Sequence, residues 1–505
     1  MHRPSTVEAE IADELSAVRP GLVPGYTGAL PGARAAVLTR LWRGLAHEPL
    51  PWIARREHGR DELTLCLADG RRLHGPRADP YATDAYVTAV RLDGVVHDDP
   101  ARLMADLGVP HADAFAAELA GGVASLALSR AGSEGGPGAW PARDWEWEQR
   151  VVDGHPFHPG CRSRPGFSVA EQLAYGPEHR PVVELQLVPV PAAQCLVTGV
   201  WPGWLREAGR VVVPVHPWQA AHVLERRGGR AGEQRLAAHP LMALRTLALP
   251  GGPHVKTALS TRLTSSVRDI SIGSVAASAV LSDFGAAVAA RTDGLLHITR
   301  TLGAVAAGSP DLAAVLRESP EVYAADGERV VPVAALATTG LPRSPDWSAR
   351  FARLALTVGL RLLELGVALE AHGQNLLVVL SPAGEPVRLV YRDLADLRVG
   401  PARLARHGLA LPELPARMVT DDERVLRRKL FGSLVAGALA GTAGSGPVLR
   451  AALESAVRDL PRTPDRAALV DGPLPAKALT LMRLSPRTAG DQWAELPNPL
   501  RFPAM

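Results

Sequence analysis

The sequence has 505 residues, is 47% hydrophobic and 21% charged, and its 55 Lys+Arg against 52 Asp+Glu leave a formal charge of only +3. That length exceeds one ordinary core, so roughly two to four domains are expected. So even a balance excludes the electrostatic footprint of a nucleic-acid or membrane-surface protein and leaves a small ligand as the default.

In chain order, "MHRPSTVEAEIADEL" (Met1 to Leu15) is acidic and helix-like, without an apolar region behind a basic start. No secretory signal is read there, and the cytoplasm is the expectation. Helical patterns then alternate with short strand-like runs such as "RLHGPRADPY" up to about Arg130. The Gly- and Pro-rich stretch "AGSEGGPGAWPAR" (Ala131 to Arg143) marks a first boundary. From Asp144 to about residue 340, strand candidates ("PVVELQLVPV", "RVVVPVHPW", "GLLHITRTL") mix with helices, an α+β pattern. The division is therefore 1–143, 144–340 and 341–505. Ser344 and Pro345 suit the N-cap and first turn of a long helix, whose apolar face recurs at Phe351, Leu354, Val358, Leu362, Leu365 and Leu369. The most apolar windows, Ser271 to Ala290 and Gly432 to Leu449, are broken by Asp283 or by Gly and Ser and read as core helices rather than membrane spans. No repeat period is found. Cys66, Cys161 and Cys195 are far apart and show no CxxC spacing, so neither a disulfide framework nor a structural zinc site is indicated.

Chemistry concentrates in three places. After the long helix come Glu370, His372 and Asn375, a strand "LLVVL", a tight turn, a strand "VRLVY", then Arg392 and Asp393. That order echoes the kinase catalytic segment, where an Asn and an Asp beyond the next hairpin hold magnesium against phosphates. Mg²⁺ takes hard oxygen donors, and Asn375, Asp393 and Glu370 are its candidate ligands. A helix end with exposed polar residues is the alternative. Second, "HVKTALSTRLTSSVRDIS" (His254 to Ser271), if extended, carries Lys256, Ser260, Arg262, Thr264, Ser266 and Arg268 on one face. Such a ladder of cations and hydroxyls can meet a chain of phosphates. No GxxxxGK[ST] or strand-associated GxGxxG occurs, so a nucleotide would have to be held by side chains. Third, in "GHPFHPGCRSRPGFS" (Gly154 to Ser168) and "PVHPWQ" (Pro214 to Gln219), His155, His158 and His216 each precede proline and are driven to extended angles. The expectation is that the backbone aims His155, His158, His216, Arg162 and Arg164 into a cleft; packing histidines on rigid turns are the alternative.

Taken with "EAHGQN", "YRDL" and the late "AKALTLMRL", these motifs resemble, in order and spacing, the aerobactin-type (IucA/IucC-type) siderophore synthetases that work independently of nonribosomal peptide synthetases. The resemblance covers roughly Asp144 to the C-terminus and is loose before it. It implies a hand-like fold of thumb, fingers and a palm distantly like a kinase lobe. It also implies ATP-dependent adenylation of citrate or a related polycarboxylate, followed by condensation with an amine, polyamine, hydroxamate or hydroxyl nucleophile. By the same resemblance Ser260, Arg262 and Thr264 grip ATP, with Lys256 and His155 supporting. Arg164, Arg268 and His372 face the carboxylate or adenylate, and Glu370, Asn375 and Asp393 serve Mg²⁺ and the nucleotide. A homodimer is expected, with no nucleic-acid or membrane partner. Arg162 stands where relatives usually carry Lys, and Asp269 lies in the otherwise cationic strand. A kinase-like phosphotransferase and a non-catalytic binding homologue are the competing readings.

Overall fold

The computed structural model describes residues 6–133, 139–227, 232, 234–263, 266–488 and 490–501. The helix-like N-terminus forms Val7–Val18, where the Thr6 hydroxyl accepts from the Ala9 N–H at 3.2 Å. It packs with helices Val23–His47 and Ala112–Gly132 over an antiparallel five-stranded meander, Ile53–His58 to Val95–His97, around a core that includes Tyr26, Leu38, Trp42, Leu65, Phe115 and Leu119. Helix Ala112–Gly132 is the one described helix long and apolar enough to cross a membrane, and 67% of that window is buried inside the fold.

The middle of the chain builds a nine-stranded sheet, with strand Val183–Pro191 between Arg210–Val215 and Arg235–Pro240, and strand His254–Thr257 between Thr246–Ala248 and Ala313–Arg317. The alternation in "PVVELQLVPV" is thus realised as a strand. "GLLHITRTL" divides instead. Leu296–Ile298 runs parallel to Pro386–Tyr391 in a four-stranded sheet with Leu376–Leu380 and Arg329–Pro332, whereas Thr301–Ala306 joins the large sheet. Strand pairing therefore crosses the 340/341 line.

The cationic ladder is not one extended strand. The chain breaks after Thr257, resumes at Leu259–Leu263, and doubles back as Ser266–Arg268, with Leu259 opposite Arg268 and Arg262 opposite Val267. Thr264 lies outside the described residues. Reversal within a Ser/Thr-rich run is turn chemistry that a period of two does not register.

The long helix spans Pro345–Leu365, with Ser344 as N-cap and Pro345 at its first position as expected. It stops before Leu369, because Gly366 adopts φ 90° as its left-handed C-cap. A Cβ there would lie 2.7 Å from the Gly400 carbonyl oxygen. Gly366→Ala is expected to lose about 2 kcal/mol or more in a urea melt, from left-handed strain plus this clash. The apolar windows are core helices, as expected: Ile272–Ala276 and Ser278–Ala289, and a π-helical Phe431–Leu439 continuing as Ala440–Ala443.

Candidate functional site

The pairing of Leu376–Leu380 with Pro386–Tyr391, Leu376 opposite Tyr391, brings Asp393 back beside the loop that carries Glu370, His372 and Asn375. Arg392 fixes the two together. Its backbone N–H donates to the Asn375 carbonyl at 3.0 Å, and its guanidinium donates to the Gln374 carbonyl at 2.9 and 3.1 Å. Its remaining nitrogen meets Glu148 at 2.6 Å, from helix Asp144–Gln149. Glu148 also accepts the Met242 N–H at 3.0 Å, so one buried carboxylate ties three segments together.

Asp393 reaches the large sheet. Lys256 Nζ lies 2.7 Å from its Oδ2 and Arg317 2.9 Å from its Oδ1, the latter from strand Ala313–Arg317. Burial would push the Asp393 carboxyl up, but Arg317 and Lys256 outweigh it and hold it well below the usual range. Burial pushes the Lys256 ammonium down to about 7, aided by Arg317 and Arg245 against Asp393. Asp393 is a non-glycine residue at φ 73°, a conformation that persists only where its surroundings impose it.

Glu370 is engaged in the same way, by Lys477 at 2.7 Å and Lys429 at 3.1 Å, whose charges overcome burial and bring its carboxyl down to about 2. The Asn375 amide donates weakly to the Glu370 carbonyl at 3.5 Å. Both carboxylates expected to serve Mg²⁺ are thus held by cations. Among the described residues no three His, Cys, Asp or Glu side chains are placed to share a metal ion. As arranged, these donors do not fit a Mg²⁺ shell of hard oxygens, and no step is assigned to the metal.

The hairpin, the loop carrying Glu370 and His372 and the N-terminal region converge electrostatically. The Arg268 guanidinium feels Asp393, Glu370 and Asp396 together with Arg483. His155 lies in the field of His372, Arg40, Arg43 and Lys477. Arg262 is exposed at the hairpin, and its charge reaches Glu118 of helix Ala112–Gly132, which pairs with Arg483 at 2.8 Å. Lys256, Arg268, His372, Glu370 and Asp393 therefore belong to one charged cluster, with His155 and Arg262 within its electrostatic reach.

Arg164 is placed elsewhere. Its guanidinium is buried 2.7 Å from Glu178, and Arg162 lies 3.6 Å from the same carboxylate while donating to the Val151 and Val152 carbonyls. Cations at that density need a buried counter-charge, and Glu178 supplies it. Ser260 is also engaged. Its hydroxyl donates to Asp311 at 2.5 Å and accepts from Gln219 Nε2 at 3.0 Å, while Gln219 Oε1 accepts its backbone N–H at 2.7 Å. Gln219 is fully buried and also donates to the Asp311 carbonyl at 2.9 Å, which pins the base of the hairpin. A separate groove of about 430 Å³, bordered by Asp144, Trp145, His254, Glu318 and Glu321, contains none of the expected site residues.

Sequence reasoning gave no role to Gln219, Lys477 or Arg392, although "HPWQ", "AKAL" and "YRDL" contain them. Glu148, Arg317 and Asp311 carry no local signal at all.

Residues 144–338 match the IucA / IucC family, and residues 345–492 match a family described as ferric iron reductase FhuF-like transporter. The chain is 25% identical over 312 residues to citryl-spermidine/3,4-dihydroxybenzoyl-citryl-spermidine:spermidine ligase of Bacillus anthracis, covering 50% of this chain and 51% of that protein. It is 25% identical over 373 residues to 2-[(L-alanin-3-ylcarbamoyl)methyl]-3-(2-aminoethylcarbamoyl)-2-hydroxypropanoate synthase of Staphylococcus aureus (strain NCTC 8325 / PS 47), covering 58% and 60%. The chain thus spans about half to three-fifths of the length of these curated relatives. Among solved structures it resembles the petrobactin biosynthesis protein AsbB from Bacillus anthracis, with TM-score 0.74, 18% identity and 95% and 98% of the two chains covered. It also resembles ATP-bound aerobactin synthetase IucA from Klebsiella pneumoniae, with TM-score 0.72, 18% identity and 93% and 99% covered. At that identity the likeness establishes a shared fold.

Proposed function

We propose that this chain, which belongs to the IucA / IucC family of siderophore synthetases independent of nonribosomal peptide synthetases, activates a carboxylate of citrate or a related polycarboxylate with ATP and transfers it to an amine or hydroxyl nucleophile. The observation that carries this reading is the charged cluster in which Lys256 and Arg317 of the large sheet pair with Asp393, with Arg268 of the hairpin and His372 and Glu370 of the loop before it within electrostatic reach. A carboxylate approaching an α-phosphate brings two anions together, and a cation-rich, partly desolvated cluster lowers that barrier. The carboxylate oxygen bonds to the α-phosphorus as the bond to the β-phosphate oxygen breaks, releasing pyrophosphate. The nucleophile then bonds to the acyl carbon, loses its proton, and AMP leaves with the former carboxylate oxygen.

In this proposal Arg262 and Lys256 serve the phosphates, Arg268 and His372 the carboxylate or adenylate, and Glu370 and Asp393 set the positions of the cations that face the ligand. Ser260 joins the phosphate site only by exchanging its bond to Asp311. The working division is 1–143, 144–340 and 341–505, read as thumb, fingers and a kinase-like palm, acting as a homodimer.

Incubation with ATP, magnesium, citrate and a panel of amines is expected to release pyrophosphate and AMP and to form an amide by mass. Arg262→Ala is expected to lower turnover about 100-fold while leaving the melting temperature unchanged, because its side chain is exposed. Formation of ADP, or full turnover by Arg262→Ala, would overturn the reading.

A further inference from the structure

The cationic run breaks after Thr257, and Arg245 spans the break. Its backbone carbonyl accepts the Thr257 N–H at 2.8 Å and the Thr257 hydroxyl at 3.1 Å, directly after Lys256, and its neighbour Thr246 stands opposite Lys256 in the large sheet. At the other end, its guanidinium Nη1 donates to the carbonyls of Arg268 at 2.6 Å and of Asp269 at 2.7 Å, where strand Ser266–Arg268 ends. Carbonyls at a strand end run out of ladder partners, and a charged donor holds them more firmly than a neutral one. Arg268 is fixed across the hairpin as well, its Nε donating to the Leu263 carbonyl at 3.1 Å.

The residue before Arg245 is strained. Leu244 has φ 59°, a left-handed conformation that a bulky side chain adopts only where its surroundings impose it. Those surroundings are a buried cluster of Phe167, Trp218, Leu259 and Leu263. Leu259 and Leu263 belong to one arm of the hairpin, so the packing that holds Leu244 also seats that arm, and the next side chain, Arg245, reaches the other. Burial, and then the Arg268 charge, push the Arg245 guanidinium down to about 10 against the pull of Asp393, which leaves it charged at neutral pH. Asp269, the acid that interrupts the cationic run, also favours that charge.

We propose that Arg245 is a positioning residue of the charged cluster around Asp393, setting where Arg268 stands relative to Lys256 without itself contacting the ligand. Its main chain is built against the strand of Lys256 and its side chain holds the main chain of Arg268, so one residue couples two cations that the break would otherwise leave independent. Displacing a ligand-facing group by about 1 Å is enough to cost on the order of 100-fold in rate. The inference rests on the synthetase reading only for the reaction that reports it.

Amide hydrogen exchange on the full chain tests this without any ligand. In Arg245→Met, which keeps the aliphatic stem and removes the donors, exchange from Val267 to Ile270 is expected to accelerate by about tenfold or more, while that of strand Val183–Pro191 is unchanged. Unchanged exchange in the arm overturns the proposal, and so does equal acceleration in Val183–Pro191, which would mark a general loss of stability. In turnover with ATP, magnesium, citrate and an amine, Arg245→Met is expected to lower kcat/KM for citrate about 10- to 100-fold, but less than about threefold when Arg268→Ala is already in place. A residue that merely supports the fold would cost the same in both backgrounds. Equal costs, or full turnover by Arg245→Met, therefore overturn the proposal. If the arm loosens as expected while the wild-type chain releases no pyrophosphate, the synthetase reading fails and the tether from Arg245 to Arg268 stands.

Discussion

Replacing Glu148 by Ala is expected to destabilise the protein by about 3 to 5 kcal/mol in chemical denaturation, because it leaves Arg392 charged, buried and unpaired. The two side chains are 1% and 8% exposed, so water cannot take over the lost partner. The effect should extend to the charged cluster around Asp393. Arg392 holds the Gln374 and Asn375 carbonyls, and a guanidinium that shifts in search of another acceptor takes the His372 to Asn375 loop with it. A raised KM for ATP is therefore expected at temperatures where the variant is still folded. Replacing both partners with apolar residues, Glu148→Leu with Arg392→Met, separates the two consequences. Stability should largely return, since no buried charge is left over, but the loop contacts should not, so the double variant is expected to be folded and impaired. A double variant with normal turnover would show that the pair serves stability alone.

What was readable in the sequence were local properties. Ser344 and Pro345 announced the start of the long helix, and the strand, turn and strand from Leu376 to Tyr391 form as an antiparallel pair in the order read. The end of that helix was misread, because an apolar step of three and four continues through Leu369 although Gly366 has already closed it in the left-handed conformation. The cationic run was misread in the opposite sense. Its alternation is real within Leu259–Leu263, but alternation says which side chains share a face and not where the strand turns back. Because it turns back, Arg262 and Arg268 belong to opposite arms of a hairpin.

The partners of the site residues were illegible for a different reason. Glu178 neutralises Arg164, Asp311 accepts the Ser260 hydroxyl hydrogen bond, and Arg317 shares Asp393 with Lys256. Each is an ordinary residue in its own segment, given meaning by a contact across the fold, and no spacing in one sequence encodes that. The histidines occupy a middle case. Proline after His155 and His158 signalled extended backbone, and the Phe157 and Gly160 N–H groups accordingly donate to their Nδ1 atoms, but the arginines whose charge reaches His158 lie on other elements.

Asp393→Asn isolates the charge that joins the large sheet to the segment after strand Pro386–Tyr391. Asn tolerates positive φ nearly as well as Asp does, so the backbone at φ 73° is retained and only the anion is removed. Lys256, already brought down to about 7 with that carboxylate beside it, would then lose its proton at neutral pH, and Arg317, 12% exposed, would be left without its counter-charge. A loss of about 3 kcal/mol is expected from that alone. The pH dependence gives the mechanism away. In the wild-type chain the Asp393 carboxyl is held below its unfolded value, so its contribution is present above that unfolded value of about 4 and is lost as pH falls through the folded one. The variant has no such group, and the stability gap between the two should therefore narrow on acidification. Turnover should fall at least 100-fold, since a neutral Lys256 and an Arg317 without its anchor cannot hold the charge and geometry that receive a triphosphate. Added ATP should protect the variant against thermal unfolding more than it protects the wild type, because the phosphates replace the missing anion. Equal protection of both proteins by ATP would mean that Lys256 and Arg317 do not face the nucleotide.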